Sequence, residues 1–337
     1  MNGRILPGAA AKIATKGWPS RSHRSLRSAI AGLTAFAGVS GVRRQCPQFV
    51  GQQHDRRQRG TAPTRRPASS QVGAYPRLPV DQPFGDIWRH RYRMSVSHYG
   101  QDVSYIHAAG FTSQAEFAAD RLLEEMHRDD AERGLIVELG CGPGVTAARL
   151  LAAGFDVTGI DSSPAMLVLA RRNAPRATFV EGSFVSAAIP PCDAVIAVGE
   201  VFNYLFDSAN TPKALERVFA RVFKALWPGG VFLFDMAGPG RIPGGGAAHL
   251  AVVGDDWGVL VDGVEDTKKA ILTRTITALR KTPKGISQTE EVHRQRLVPQ
   301  ARVLELLRTA GFKARSLHGY DGNRFAPGHS VFLARRP

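Results

Sequence analysis

From residue 135 onward, short apolar runs alternate with segments whose large apolar side chains recur every three or four positions. Runs at 135–139, 156–160, 178–181, 194–198 and 231–234 have the length and β-branched content of buried strands. Between them, 145–153, 164–173 and 212–227 carry the period of helices packed by one face. The last is the clearest, because Leu215, Val218, Phe219, Val222, Phe223 and Leu226 fall on one stripe and Pro228-Gly-Gly230 follows as a stop. Strands alternating with helices in this way predict a parallel sheet covered on both faces.

The flanks read differently. The globular part is expected to begin near His98, and Ser113 followed by Glu116 reads as a capping box opening a first helix through Ala119, Leu122 and Met126. Residues 238–254 contain no acid and hold five glycines within 238–246, which predicts a mobile loop. Next, 257–261, 269–280 and 286–297 alternate β-branched and polar residues as antiparallel strands do, and are read as a sheet inserted over the mouth of the site. A helix over 299–310, with Val303, Leu306 and Leu307 inward and Gly311 as its stop, leads to closing strands at 312–317 and 331–334.

The first strand runs into the most informative stretch, Glu138-Leu-Gly-Cys-Gly-Pro-Gly144. Three glycines let the backbone turn sharply and approach a ligand where a Cβ would collide. The helix that follows offers free N–H groups to an anion. The second strand ends on Asp161, seventeen residues past the last loop glycine, where a doubly wound sheet places an acid on ribose hydroxyls. A carboxylate there repels a 2′-phosphate. No Gly-Lys-Ser/Thr ends the loop, so it is not a phosphate-binding loop, and Gly-x-Gly-x-Gly spacing counts against a dinucleotide.

Glu138-Leu-Gly-Cys-Gly-Pro-Gly144 and Val157-Thr-Gly-Ile-Asp161-Ser-Ser-Pro-Ala-Met166 resemble the first two motifs of the class I S-adenosylmethionine-dependent methyltransferases. Cys192-Asp-Ala-Val-Ile-Ala-Val-Gly-Glu-Val-Phe-Asn-Tyr204 is similar to their fourth strand and the loop after it. Leu226-Trp-Pro-Gly-Gly-Val-Phe-Leu-Phe-Asp235 is similar to the turn into their fifth. The resemblance covers about residues 134–237. It implies a Rossmann-like, doubly wound α/β fold of seven strands, the last antiparallel, here with an inserted antiparallel segment. It also implies S-adenosyl-L-methionine as the cofactor. Glycines 140, 142 and 144 would pass beneath the methionine part and ribose, Glu138 would order the loop and attract the ammonium, and Asp161 would hold the ribose. Cys141, Ser162, Met166 and Val198 complete the expected cofactor wall, with Tyr99 in a segment that relatives use as a lid. Many relatives carry an acid where Ser183 stands, accepting from the adenine amino group; a hydroxyl accepts less strongly. Phe184 would pack on the base or belong to the core. Cys141 is otherwise a small residue in a tight loop.

The acceptor side is less marked. Glu200 and Tyr204 follow the fourth strand at the carboxyl edge, where such sheets bind ligands, and Asn203 beside them does not form the Asn/Asp-Pro-Pro-Tyr/Phe motif of base-methylating relatives. Tyr105 and His107 are expected before the first helix, and His107 is a candidate general base. His293 lies on a strand of the insert, where alternation places it with Glu291 on one face, and Arg294 and Arg296 on the other; the readings are a charged-substrate face or a solvated strand. The candidate catalytic set is therefore His107, Glu200, Tyr204 and His293, with no metal.

Charge changes the picture of the partners. The net charge of +15 over 337 residues invites a nucleic-acid reading. Yet residues 1–80 carry fourteen Lys/Arg against one acid, leaving thirty bases and twenty-eight acids in the remaining 257. The basicity belongs to an N-terminal extension, 1–93, whose composition is that of a disordered segment. A targeting peptide would look similar; the favoured reading is translation from Met94. Residues 94–337 then form the methyltransferase domain, with a substrate-side insert at about 238–297. Three unclustered cysteines give neither a disulfide framework nor a zinc site, and no apolar run approaches the ~18–20 residues of a membrane span. The expectation is a cytoplasmic enzyme that methylates a small molecule, with no nucleic-acid or membrane partner. The alternatives are an RNA or protein methyltransferase docking through the tail, and a non-catalytic cofactor-binding protein. Oligomeric state follows from none of these motifs.

Overall fold

The computed structural model describes residues 98–128, 133–320 and 323–337; the basic extension and Met94 lie outside the described residues. Two helices come first, α1 (Gln101–Gly110) and α2 (Ser113–His127). The alternating part follows as β1 (Leu135–Leu139), α3 (Val145–Ala152), β2 (Asp156–Asp161), α4 (Pro164–Asn173), β3 (Thr178–Glu181), β4 (Cys192–Ala197), α5 (Pro212–Ala225) and β5 (Leu226–Ala237). Four long strands come next, β6 (Gly246–Val253), β7 (Trp257–Asp266), β8 (Ile271–Thr282) and β9 (Gly285–Arg296). The chain closes with α6 (Gln300–Thr309), β10 (Lys313–Leu317), the short pair β11 (Gly319–Tyr320) and β12 (Asn323–Arg324), and β13 (His329–Arg335).

The main sheet has seven strands in the order β10-β13-β5-β4-β1-β2-β3. β1 to β5 run parallel, and β13 is antiparallel to both β5 and β10. The expected seven-stranded sheet with an antiparallel last strand is therefore present. Strand residues alternate between two cores, as a period of two requires. Phe232, Phe234 and Phe332 face α5 and α6, meeting Val218, Phe219, Val222 and Leu307. Val231, Leu233 and Leu333 face the other way, with Leu122 of α2 and Leu150 of α3 in the same cluster. Strand order reverses between β1 and β4, so a crevice opens at their carboxyl ends.

The second sheet, β6-β7-β8-β9, is antiparallel throughout. One face carries Trp257, Val259 and Ala278 against Val103 and Ile106 of α1. A bridge from Tyr204 to Gln295 ties β9 to the loop after β4.

Several sequence expectations need correction. Tyr105 and His107 lie within α1, not ahead of the first helix; Gly100 caps α1 without a side chain, so no capping pattern announces it. The N-cap of α2 is Thr112, not Ser113, and the Thr112 hydroxyl meets the Glu116 carboxylate at 3.2 Å instead of closing a capping box onto the backbone. Helix α5 ends at Ala225, and Pro228-Gly-Gly230 forms an irregularity inside β5 between the pairs Cys192–Leu226 and Ala194–Val231. Half of the expected loop at 238–254 is strand β6, an exposed edge held by its ladder with β7. No helix among the described residues is long and apolar enough to cross a membrane.

Candidate active site

The glycine loop after β1 is shaped by close approach. Gly144 has φ +77°, and a Cβ there would lie 2.9 Å from the Ala170 backbone, so the start of α3 can press against α4 only through a glycine. Gly142, at φ +50°, faces open space on the cavity side. Asp161, at the tip of β2, organises this loop by accepting hydrogen bonds from the Gly142 N–H and the Ser163 N–H, both at 2.8 Å. Burial raises its pKa, and these backbone donors oppose the rise. Ser163 caps α4 with its hydroxyl, leaving Asp161 free of that duty.

Two cavities meet over this loop. The first is lined by Asp161, Ser162, Met166, Ser183, Phe184 and Asp207, and reaches Tyr99, Tyr204 and Phe206. The second runs over Glu138, Cys141, Thr146, Gln114 and Phe111. His107, Gly140, Gly142, Val198 and Gly199 line both. Glu138 is buried, with one carboxylate oxygen that meets no hydrogen-bond partner among the described residues. Burial pushes its carboxyl up to about 8, despite hydrogen bonds from Thr146 and the Ala147 backbone. A buried, unpaired acceptor at a cavity wall is costly unless a ligand supplies the donor. Cys141 is buried and its thiol is pushed up by that burial, which fits packing and not nucleophilic chemistry.

At the junction the wall turns aromatic. The Tyr99 and Tyr204 hydroxyls share a hydrogen bond of 2.9 Å. His98 stacks on Phe206 at 3.9 Å between centroids, and Phe206 stacks on Tyr204 at 4.6 Å. Burial, with His293 adding to it, lowers His107 to about 4, so its imidazole is neutral at ordinary pH. Tyr99 itself is held in a left-handed conformation, φ +51°. Its carbonyl accepts from the Ser104 and Ser163 hydroxyls, both at 2.7 Å. Its N–H and that of Gly100 both donate to the Glu291 carboxylate at 2.8 Å.

Behind this wall lies a polar network that sequence reasoning put in front of it. Glu200 is buried and accepts from Arg241, Arg274 and Gln295, each at 2.8 Å. Burial alone would raise its pKa, but Arg274 and Arg241 hold the carboxyl well below the usual range. His293 is 1% exposed and bonds Glu291 at 2.8 Å. Alternation on β9 is as expected, yet the face bearing Glu291 and His293 is sealed, so the solvated-strand reading is overturned. Of the four candidate catalytic residues, His107 and Tyr204 line the cavity; Glu200 and His293 stand behind it. Of the cofactor candidates, all line one or both cavities except Gly144, whose part is packing. Phe184 does both jobs, lining the cavity and meeting Phe202 at 5.3 Å. The sequence reading missed His98, Phe206, Asp207 and Asp235. Asp235 is wholly buried and accepts from the Gly199 and Glu200 N–H groups and from the Tyr320 hydroxyl, fixing the loop after β4. Its place at the carboxyl end of β5 is a usable signal; nothing local marks the other three.

A seven-stranded sheet of this order, with a glycine loop and a ribose-type acid at its reversal point, defines a Rossmann-like domain for a nucleoside cofactor. Residues 136–230 match the methyltransferase domain family. Trans-aconitate 2-methyltransferase of Paracidovorax citrulli is 40% identical over 106 residues, 30% of this chain and 38% of that protein. Glycine/sarcosine N-methyltransferase of Halorhodospira halochloris is 32% identical over 130 residues, 36% of this chain and 46% of that protein. The chain thus spans less than half the length of either relative. A crystal structure of an S-adenosylmethionine-dependent methyltransferase from Clostridium acetobutylicum superposes with a TM-score of 0.59 at 16% identity, over 69% of this chain and 96% of that one, and so supports the fold. Residues 136–230 thus carry the sequence of a methyltransferase domain, on a fold shared with an S-adenosylmethionine-dependent methyltransferase.

Proposed function

We propose that the protein transfers a methyl group from S-adenosylmethionine to a small-molecule acceptor at the junction of the two cavities. One observation carries the reading: a ribose-type carboxylate, Asp161, and a buried carboxyl with one unpartnered oxygen, Glu138, stand on two adjoining cavities that share the glycine loop. The residues fit the cofactor. Asp161 would hold the ribose hydroxyls, and the orphaned Glu138 oxygen would meet the ammonium of the methionine part. Bound there, the cofactor supplies a sulfonium-activated methyl group. What remains for the protein is to aim an acceptor lone pair along the S–CH₃ bond and to exclude water.

Tyr99, Tyr204 and His107 are the groups suited to that task. The tyrosine pair can donate to and accept from an acceptor heteroatom, and the neutral His107 imidazole can accept a hydrogen bond that orients it. Glu200 and His293 act through others: Glu200 holds Arg274 and Gln295 beside Tyr204, and His293 braces Glu291 under Tyr99. The inserted sheet and α1 form the acceptor side of residues 94–337. A small acceptor accords with the relatives' names, which give trans-aconitate and glycine/sarcosine as substrates.

The test is a labelled-methyl assay on fractionated metabolites, run beside calorimetry with S-adenosylhomocysteine. Label in a low-mass fraction is the expected result. Firm binding of S-adenosylhomocysteine without transfer to any fraction would make the protein a non-catalytic binder. Absence of binding would remove the cofactor assignment itself.

A further inference from the structure

We infer that Asp207 reads the base of the bound cofactor, its carboxylate accepting a hydrogen bond from an exocyclic amine and so selecting adenine over a base with a carbonyl at that position. The inference rests on the cofactor reading above and adds a specificity residue to it. Ser183, two residues past β3, is the local sequence's only offer at this end of the cavity. The structure spends that hydroxyl elsewhere: its proton goes to Asp207 Oδ2, and its oxygen accepts from the Val185 N–H at 3.2 Å. The Ser183 oxygen keeps one lone pair, but the stronger acceptor facing a ligand there is the charged Asp207 carboxylate.

Asp207 is built for the part. Its Oδ1 accepts from the Ala209 N–H at 2.8 Å and its backbone carbonyl from the Asn210 N–H at 2.9 Å, which fixes the side chain in a tight turn. Among the described residues no cation pairs with it, although it borders a largely apolar cavity wall of Ile160, Met166 and Phe184. Each carboxylate oxygen can accept a second bond. Position identifies the donor. Strand order places β3 beyond β2, so a nucleoside whose sugar sits at Asp161 extends its base toward Ser183, Phe184 and Asp207. Flat apolar walls suit the faces of the base, and the carboxylate meets its edge. An amine there donates to Asp207; a carbonyl would set oxygen against oxygen in a half-buried site.

Calorimetry on the full chain with S-adenosylhomocysteine and S-inosylhomocysteine, which differ in the amine or carbonyl at that position and in the proton the carbonyl form carries on N1, tests it. The wild type should prefer the amine by roughly 10- to 100-fold, the worth of one hydrogen bond to a charged group. In Asp207→Asn the side-chain amide can donate to the carbonyl, so the preference should collapse to within a few-fold or reverse. Ser183→Ala removes the donor that orients Asp207 Oδ2 and should narrow the preference several-fold; it serves if the first variant does not fold. Equal binding of both compounds by the wild type, or an unchanged preference in both variants, overturns the role of Asp207 and leaves the cofactor reading standing. Binding of neither compound overturns both.

Discussion

The two halves of the site are assembled in opposite ways. On the cofactor side, the wall from Glu138 to Phe184 comes from the tips of three adjacent strands and the helix starts that follow the first two, and the contact that orders it joins Gly142 to Asp161, nineteen residues apart. Backbone N–H groups do most of the work. On the acceptor side, Tyr99 meets Tyr204 across 105 residues and Glu291 across 192, and Glu200 meets Arg274 across 74. Side chains do the work there, and they come from α1, the loop after β4 and the inserted sheet. A site made of loop backbone depends on a short stretch of sequence; one made of a side-chain network depends on the insert folding onto the domain. On the proposed function, the first would serve any acceptor unchanged, and the second would be where the substrate is chosen.

The largest expected effect probes the independence of the two halves. Asp161→Ala removes the acceptor that holds the glycine loop and that would hold the ribose, and should weaken S-adenosylhomocysteine binding by at least about 100-fold, since hydrogen bonds to a charged group are worth ~1.5–3 kcal/mol each. Near-ultraviolet circular dichroism of Tyr99 and Tyr204 should be retained. Loss of that signal would mean the halves fold as one. Glu291→Ala tests the converse, because it orphans two backbone N–H groups and His293. It should lower kcat/KM for the acceptor by roughly 10- to 100-fold while cofactor affinity changes only a few-fold, the asymmetry expected if the latch serves the acceptor wall. Equal losses in both constants would erase the distinction.

This division also explains what the sequence disclosed. β1, α4 and β3 are readable to the residue because their apolar period, the Pro at the start of α4 and the Ser163 cap are local signals. The proposed cofactor residues of the glycine loop, Asp161 and Ser183 lie beside those same elements. Helix α1 is hidden because Gly100 offers no side-chain cap and its apolar residues, Val103 and Ile106, are few. β6 is hidden because it is an edge strand exposed on both faces, so no alternation of polar and apolar residues is required of it. Asp207 and Glu291 carry no local mark. Asp207 meets Ser183 across 24 residues and Glu291 on β9 meets Tyr99 across 192, contacts that no window of sequence records.

A third prediction separates the halves by pH. The Glu138 carboxyl is raised from 4.5 to about 8 in the free protein, so it is largely protonated at pH 7. Folding of the free protein is therefore favoured below pH 4.5, and that contribution is lost as pH rises through about 8. Pairing with an ammonium requires the ionised form, so binding runs the other way. Affinity for S-adenosylhomocysteine should rise by up to about tenfold per pH unit between 6 and 8, with nearly one proton released at pH 7. Calorimetry in two buffers of different ionisation heat measures that proton. Glu138→Gln should abolish the release and flatten the profile. The acceptor side should show no such step: His107, lowered from 6.5 to about 4, stays neutral over the whole range. Its contribution to stability is complete above pH 6.5 and is lost only as pH falls through about 4. A transfer rate limited by a group near pH 6.5 would contradict this.

The smallest effect is expected inside the insert itself, where the sealed and open parts of one sheet can be set against each other. Leu250, on the edge strand β6, is 51% exposed and lies outside the apolar cluster that joins Trp257, Val259 and Ala278 to α1. Leu250→Lys keeps the ladder with Val261, because pairing there uses backbone groups. It adds a charge to an otherwise uncovered edge, a device that discourages edge-to-edge association. Stability should change by less than about 0.5 kcal/mol in thermal or urea unfolding, and both cofactor affinity and acceptor kinetics should be unmoved. If acceptor kinetics fell instead, the acceptor wall would extend to the rim of the sheet, and the boundary of the specificity half would have to be redrawn from β9 outward to β6.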